Sequence, residues 1–196
     1  MANGTAVHID TRQKIINATL LVAAKNGFER ATTGEISRTA GVSEGIIYHY
    51  FKSKQELYIN MIKERADNYR QALGNEISRI HSPRQKLSRL IEFHFANFTG
   101  KKSIFHGVLD RTSDMPVIKE QLLKIAMVPY CRMIEEIIKE GVNAGEFKEV
   151  DPSLAAFSLL GMMQVPAIMM HFGQAGFSVR DAVDTVKKIY FGGILK

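Results

Sequence analysis

The most informative polar side chains lie in one short segment, beside apolar residues that are spaced to pack helices together. Five residues fall on the face that the apolar positions leave exposed: Glu44, Gly45, Ile46, Tyr48 and His49. Tyrosine and histidine can donate hydrogen bonds to phosphates or base edges, and glycine permits a close backbone approach. A glutamate here repels phosphate but can accept from a cytosine amino group, and an isoleucine can touch a thymine methyl. These residue types indicate recognition of nucleic acid.

The remaining reactive side chains form no catalytic or metal-binding pattern. Four histidines lie in the C-terminal part: His81, His94, His106 and His171. None has a Cys, Asp or Glu partner at metal-ligand spacing, and we see no Ser/His/Asp ordering and no phosphate-binding loop. We therefore expect no enzyme, no metal and no cofactor. The single cysteine, Cys131, cannot form an internal disulfide, which fits a reducing compartment.

The elements that position these residues are all helical. Capping signals and apolar periodicity predict about nine helices and an all-α fold, because no strand-like alternation persists. The first helix is expected at 10–26, capped by Asp10, and a last one ends at Gly192-Gly193. A helix from about 115 to 144 should bend at Pro129. Other helix starts are predicted from a cap or a capping box: Thr32 with Glu35, Ser43, Ser53 with Glu56, Ser82 before Pro83, Asp151 before Pro152, and Ser178 with Asp181.

Two of the short helices are joined by Ala40-Gly41-Val42-Ser43, where the glycine permits a sharp reversal. This is the helix-turn-helix pattern, whose second helix enters the major groove of DNA. Lys54 stands at the start of the following long helix, where it can meet a phosphate. The pattern predicts a DNA-binding head of three helices.

The stretch AGVSEGIIYHYFKSKQEL, with the helix before it, resembles the DNA-binding domain of the Tet-repressor (TetR) family over roughly residues 10–60. The stretch EGVNAGEFKEVDP at 140–152 is also common in such proteins. The resemblance implies an all-helical homodimer that binds an operator and a small-molecule effector. It places these residues near phosphates or bases: Thr32, Thr33, Ser43, Gly45, Ile46, Tyr48, His49 and Lys54. Glu44 and Ile46 depart from the family's usual residues, which concerns the operator sequence.

The domain boundary is expected at the start of the long helix, with a DNA-binding domain at 1–55 and a ligand-binding and dimerisation domain at 56–196. The larger domain is rich in Phe and Met, which favours a largely apolar effector with few polar anchors. Candidate lining residues are Phe98, Phe105, Arg111, Met127, Tyr130, Met163 and Met170. Basic residues such as Arg111 would tolerate an anionic head, so an acyl-type ligand is expected. A flat aromatic or cationic molecule is the alternative.

The resemblance further implies that helices in 151–196 form the dimer contact. The candidates are Phe157, Leu160, Gln164, Ile168, Val183, Val186 and Tyr190. Two-fold symmetry then predicts a roughly palindromic operator. Ligand binding is expected to shift the population away from the state that binds DNA, so that the protein acts as a repressor released by its effector.

Bulk properties agree with this interpretation. The net charge of +6 favours anionic partners such as nucleic acid, although it is spread along the chain. No apolar run is expected to approach the roughly 18 residues that a membrane span needs, and no signal peptide is recognised, so the protein is expected to be cytoplasmic. Two rival functions stay open at this point: a DNA-binding architectural protein without effector, and a small helical carrier or enzyme. The large C-terminal domain argues against the first rival, and the missing catalytic motifs argue against the second.

Overall fold

The computed structural model describes residues 3–27, 29–98, 120–121 and 123–196, and of residues 3–10 and 98 it describes the backbone. These residues form eight α-helices and one π-helical turn, without a β-strand, so the fold is all-α as predicted. The helices are α1 Asn3–Asn26, α2 Thr33–Ala40, α3 Glu44–Tyr50, α4 Lys54–Ile77, α5 Pro83–Phe98, α6 Val128–Asn143, α7 Pro152–His171 and α8 Val179–Ile194; the π-helical turn is Leu123–Met127. The short helix predicted near 103–111 lies outside the described residues.

Local capping explains where several helices begin. The hydroxyl of Thr32 accepts a hydrogen bond from the backbone of Glu35, whose carboxylate accepts from the Thr32 backbone, and Ser178 forms the same box at α8. Asp151 accepts from the backbone of Leu154 at 2.7 Å and opens α7. Gly41 ends α2 at a φ of 69°, a left-handed conformation that glycine adopts without strain.

The described residues divide into two compact units. Unit 1 contains 3–27, 29–66, 120–121 and 123–126, and its core includes Ile15, Ile36, Ile47, Phe51 and Leu57. Within it, Arg12 of α1 donates to Asn60 of α4 at 2.9 Å, and its guanidinium lies over the Phe51 ring. These contacts fix the first part of α4 against α1 and α3.

Unit 2 contains 67–98 and 127–196, with a core drawn from α4, α5, α6, α7 and α8. Its α6–α7 connection is tightly built: Gly145 has a φ of 71°, and Phe147 is fully buried and pairs with Leu195 in an isolated bridge. The division between the units falls within α4. The predicted boundary between residues 55 and 56 stays a prediction.

Two details of the predicted helices are wrong. The first helix begins at Asn3 and not at Asp10; the residues before Asp10 contain no proline that would stop a helix. The last helix passes through both predicted terminal glycines and ends at Ile194. The bend predicted at Pro129 stays a prediction; near this residue the chain forms a π-helical turn, Leu123–Met127, immediately before α6. A proline lacks the N–H that a regular helix needs, which accounts for irregular backbone just before it.

One expectation about composition is also wrong. Helix α7 has 20 residues and a mean hydropathy of 1.6, and by length and composition alone it could cross a membrane. The expectation overlooked this helix because its small and polar residues interrupt any obvious apolar run. One side of α7 packs into the core of unit 2 through residues such as Leu159 and Met163, which are fully buried. Apolar core helices of soluble proteins have the same composition.

Candidate functional site

Helix α3 separates its residues into a packed side and an exposed side. Ile47 is 1% exposed and anchors the helix in unit 1, whereas Ile46 is 39% and Tyr48 52% exposed. The neighbouring predicted residues Ser43, Glu44, Gly45 and His49 are exposed as well. Neither exposed side chain packs into the core of this unit, so both are available for contact with another molecule.

The threonines before α3 are already engaged in local hydrogen bonds. Thr32 forms the capping box of α2, and the hydrogen bond from the Thr32 backbone holds the pKa of Glu35 below its ordinary value. The Thr33 hydroxyl donates to a carboxylate oxygen of Glu44 at 2.7 Å. Gly34 leaves room for this carboxylate, because a Cβ there would lie 3.1 Å from it. Thr33 and Glu44, both predicted to contact DNA, are therefore hydrogen-bonded to each other in the free chain.

Lys54 connects two elements of the head. Its ammonium donates to the backbone carbonyl of Glu29 at 2.9 Å, which ties the start of α4 to the turn after α1. Partial burial lowers the pKa of Lys54, and the nearby Glu29 charge opposes that effect. The side chain thus has a structural contact, and the predicted phosphate contact stays a prediction.

The predicted effector residues are brought together in part. Tyr130 and Met163 are buried in the core of unit 2, and Met127 and Met170 pack against the same cluster. The side chain of Phe98 and all of Phe105 and Arg111 lie outside the described residues.

Two residues that contact Tyr130 are not among the predicted effector residues. Tyr69 of α4 and His94 of α5 contact the Tyr130 ring, with ring centroids 5.5 and 6.0 Å from it. No motif links residues so far apart in sequence, so only the packing of the three helices identifies the group.

The predicted dimer residues need a correction. Leu160, Val183, Val186 and Tyr190 are buried in the chain's own core, and the Tyr190 hydroxyl donates to the Ala155 carbonyl at 3.1 Å. They are therefore not available to a second subunit. Of the other candidates, Phe157 is 53% exposed, and Gln164 and Ile168 are half-buried.

A different set of apolar side chains faces outward from α7. We call it the apolar stripe; its members are Leu154, Phe157, Met162, Val165 and Met169. At 3.6 residues per turn these positions share one side of the helix, opposite the buried residues Ala156, Leu159, Met163 and Ala167. Ile189 of α8 is a further exposed apolar residue. Exposed apolar patches of this kind mark interaction surfaces.

The sequence matches two family models that together cover both units. Residues 15–61 match "Bacterial regulatory proteins, tetR family", and residues 81–167 match "Tetracyclin repressor-like, C-terminal domain". The first match spans every residue that was assigned to DNA. Among curated proteins, the chain is 28% identical over 149 residues to the fatty acid metabolism regulator protein of Bacillus subtilis, covering 76% of this chain and 77% of that protein.

Solved structures show the same fold. The transcriptional regulator FadR from Bacillus subtilis, in complex with stearoyl-CoA, superimposes with a TM-score of 0.81 at 23% identity, over 92% of this chain and 98% of that one. A transcriptional regulator from Saccharomonospora viridis in complex with choline gives a TM-score of 0.80 at 20% identity, over 94% and 97%. At these identities the likeness concerns the fold. By its matches to both family models, over residues 15–61 and 81–167, the chain belongs to the TetR family of bacterial transcription regulators, which are DNA-binding regulators and not enzymes.

Proposed function

We propose that this chain is a homodimeric repressor that binds a palindromic operator through α2 and α3 and is released from it by a long-chain acyl-CoA. The observation that carries the proposal is the similarity to the Bacillus subtilis fatty acid metabolism regulator, which extends over most of both chains and across both units. Membership of the TetR family supports DNA binding and response to a small molecule.

The exposed side of α3 supports the mode of DNA binding. Tyr48 and His49 offer donors to phosphates or base edges, and Ile46 offers an apolar contact to a thymine methyl. Selection of bound duplexes from a random library should recover a two-fold symmetric site. An architectural protein would instead bind random and selected duplexes with similar affinity, which a salt titration on both duplexes would detect.

The apolar stripe on α7 supports the dimer. Phe157 and Val165 are 53% and 62% exposed in the single chain, and burying such side chains against a second copy is favourable. Phe157→Glu should give a monomer by light scattering and weaken operator binding. Leu21→Glu is the matched control, since Leu21 of α1 is 64% exposed but lies on unit 1. A dimeric Phe157→Glu protein would place the interface elsewhere.

The effector is tested by release from DNA. Stearoyl-CoA should weaken operator binding by about 5- to 150-fold, which is the usual range of coupling between two sites. CoA without the acyl chain and choline serve as controls: release by choline alone would replace the acyl-CoA by a quaternary ammonium effector. An increase in DNA affinity on acyl-CoA binding would reverse the sign of regulation.

A further inference from the structure

The core of unit 2 contains a polar cluster contributed by three helices: Tyr69 of α4, His94 of α5 and Tyr130 of α6. His94 is 0% and Tyr130 4% exposed. His94 Nδ1 lies 3.3 Å from the Tyr130 hydroxyl oxygen, and the hydroxyl of Tyr69 is buried as well. The Tyr69 and Tyr130 rings meet edge to face, and the His94 and Tyr130 rings are stacked.

This cluster differs from the other buried polar groups in the described part of the chain. Thr19 and Ser37 are also buried, and each hydroxyl donates to a carbonyl of its own helix, which is a local way to satisfy a polar group. The His94 ring instead meets a side chain of another helix within an apolar core. A phenylalanine at position 130 would fill the same space without burying a hydroxyl, so packing alone does not account for the tyrosine.

The backbone next to Tyr130 is irregular. The π-helical turn Leu123–Met127 ends three residues before Tyr130, and Pro129 lies between them. Short π-helical segments are rare and occur frequently at functional sites. Met127 and Met170 pack against the core around the cluster, and methionine side chains adapt their shape readily to a ligand.

We propose that the Tyr130 hydroxyl, positioned by His94 and Tyr69, donates a hydrogen bond to a carbonyl oxygen of an otherwise apolar effector. The inference rests on the proposed function, in which that oxygen is the thioester carbonyl of an acyl-CoA. A mainly apolar pocket with a few polar groups is the usual form of a small-molecule site. Because the cluster is buried in the free chain, the effector must displace neighbouring side chains to reach it.

The charges around the cluster favour a neutral carbonyl over a cation. No Asp or Glu is buried among the described residues, so no carboxylate is available to neutralise an ammonium group inside this core. Burial raises the pKa of both Tyr69 and Tyr130, which keeps the hydroxyls protonated and able to donate at neutral pH.

The experiment compares Tyr130→Phe with Tyr190→Phe in the full-length protein. Tyr190 is a matched control because its buried hydroxyl belongs to the same core but bonds to the Ala155 backbone. Calorimetry measures the affinity for stearoyl-CoA and for its S-octadecyl thioether analogue, which lacks the carbonyl. Tyr130→Phe should weaken binding of the thioester about three- to tenfold, as expected for one net hydrogen bond, and leave binding of the thioether unchanged. Tyr190→Phe should bind both ligands like the wild type.

The outcomes test the proposed hydrogen bond from Tyr130 separately from the identity of the effector. Equal loss of affinity for thioester and thioether in Tyr130→Phe would show that the residue only shapes the core. Wild-type affinity of Tyr130→Phe for the thioester would also overturn the proposed hydrogen bond, while the proposed effector would stand. A wild-type protein that binds no acyl-CoA would overturn both. His94→Phe, measured in the same way, provides a second variant if Tyr130→Phe folds poorly; it removes the nitrogen that positions the Tyr130 hydroxyl and should weaken only the thioester.

Discussion

Replacing Gly141 by alanine should strongly destabilise unit 2. A Cβ at this position would lie 2.1 Å from Cδ2 and 2.2 Å from Cε2 of Phe147, well inside the roughly 3.4 Å of ordinary contact. The Phe147 ring is fully buried, and its backbone N–H donates to the Gly141 carbonyl at 3.0 Å. The next residue, Lys148, donates to the Ile194 carbonyl at 2.7 Å. The ring therefore has to move by about 1 Å or leave the core.

The magnitude follows from two opposing effects. Removing a buried phenylalanine from its site costs about 3–5 kcal/mol, whereas alanine stabilises a helix by about 1 kcal/mol relative to glycine. The expected net loss is about 2–4 kcal/mol. For a chain of this size that lowers the melting temperature by about 5–15 °C.

The assay is thermal and urea unfolding at a fixed protein concentration, since association of subunits also raises stability. Gly74→Ala in α4 is the matched control. Its Cβ would lie 3.8 Å from Met133, an ordinary contact, so the control should be neutral or slightly stabilised. In a Gly141→Ala background, Phe147→Leu should restore part of the stability. A Gly141→Ala protein as stable as the wild type would refute the steric argument.

Three further changes test the head and the surface of the body. Tyr48→Ala should weaken operator binding with the salt slope unchanged, because a neutral hydroxyl displaces no counterion from a phosphate, as measured by fluorescence anisotropy. Lys54→Ala removes the contact with the Glu29 carbonyl, so it should weaken DNA binding and also lower the melting temperature slightly; wild-type values for both would contradict the assignment. Glu92→Gln tests an ion pair: hydrogen bonds from Lys187 and then Arg89 lower the pKa of Glu92 below 4.5. The stabilisation by this ion pair is present above pH 4.5 and is lost as the pH falls through the lower folded-state pKa. In urea titrations the free energy of unfolding of the variant should therefore lie less than about 1 kcal/mol below that of the wild type at pH 7, and should equal it at low pH.

Local signals in the sequence predicted much of the fold. The capping boxes at Thr32 and Ser178 and the Asp151-Pro152 start depend on residues three apart, so no knowledge of the tertiary structure is needed to find them. The exposed side of α3 also follows from the spacing of apolar residues within this one short helix. These features were accessible because each is decided within one or two turns of helix.

Features decided by packing between helices were not accessible. Helix α7 is apolar all round, so its periodicity does not distinguish the side that enters the core from the side that faces outward. The sequence therefore assigned Leu160 to the interface although it is buried, and the apolar stripe went unnoticed except for Phe157. The Tyr69, His94 and Tyr130 cluster joins three helices and has no sequence signature at all.

The contact between Thr33 and Glu44 leads to a last prediction about specificity. Both residues were assigned to DNA, yet in the free chain the threonine hydroxyl donates to the glutamate at 2.7 Å. A phosphate contact of Thr33 would replace this bond, because the threonine hydroxyl has one proton to donate, whereas Glu44 can accept from a cytosine through its second oxygen. In the free chain the carboxylate repels the backbone of any duplex.

Glu44→Gln should therefore bind random duplex more tightly, most clearly at low salt, because one negative charge is removed beside the phosphates. If Glu44 reads a cytosine, operator affinity falls at the same time by about 1–3 kcal/mol, and the ratio of specific to random binding drops. Thr33→Val and the double variant complete the cycle: the effect of Glu44→Gln should shrink when the hydroxyl is absent, since the two side chains act as one unit. Unchanged affinity for both duplexes in Glu44→Gln would show that this carboxylate stays bound to α2 and never meets DNA.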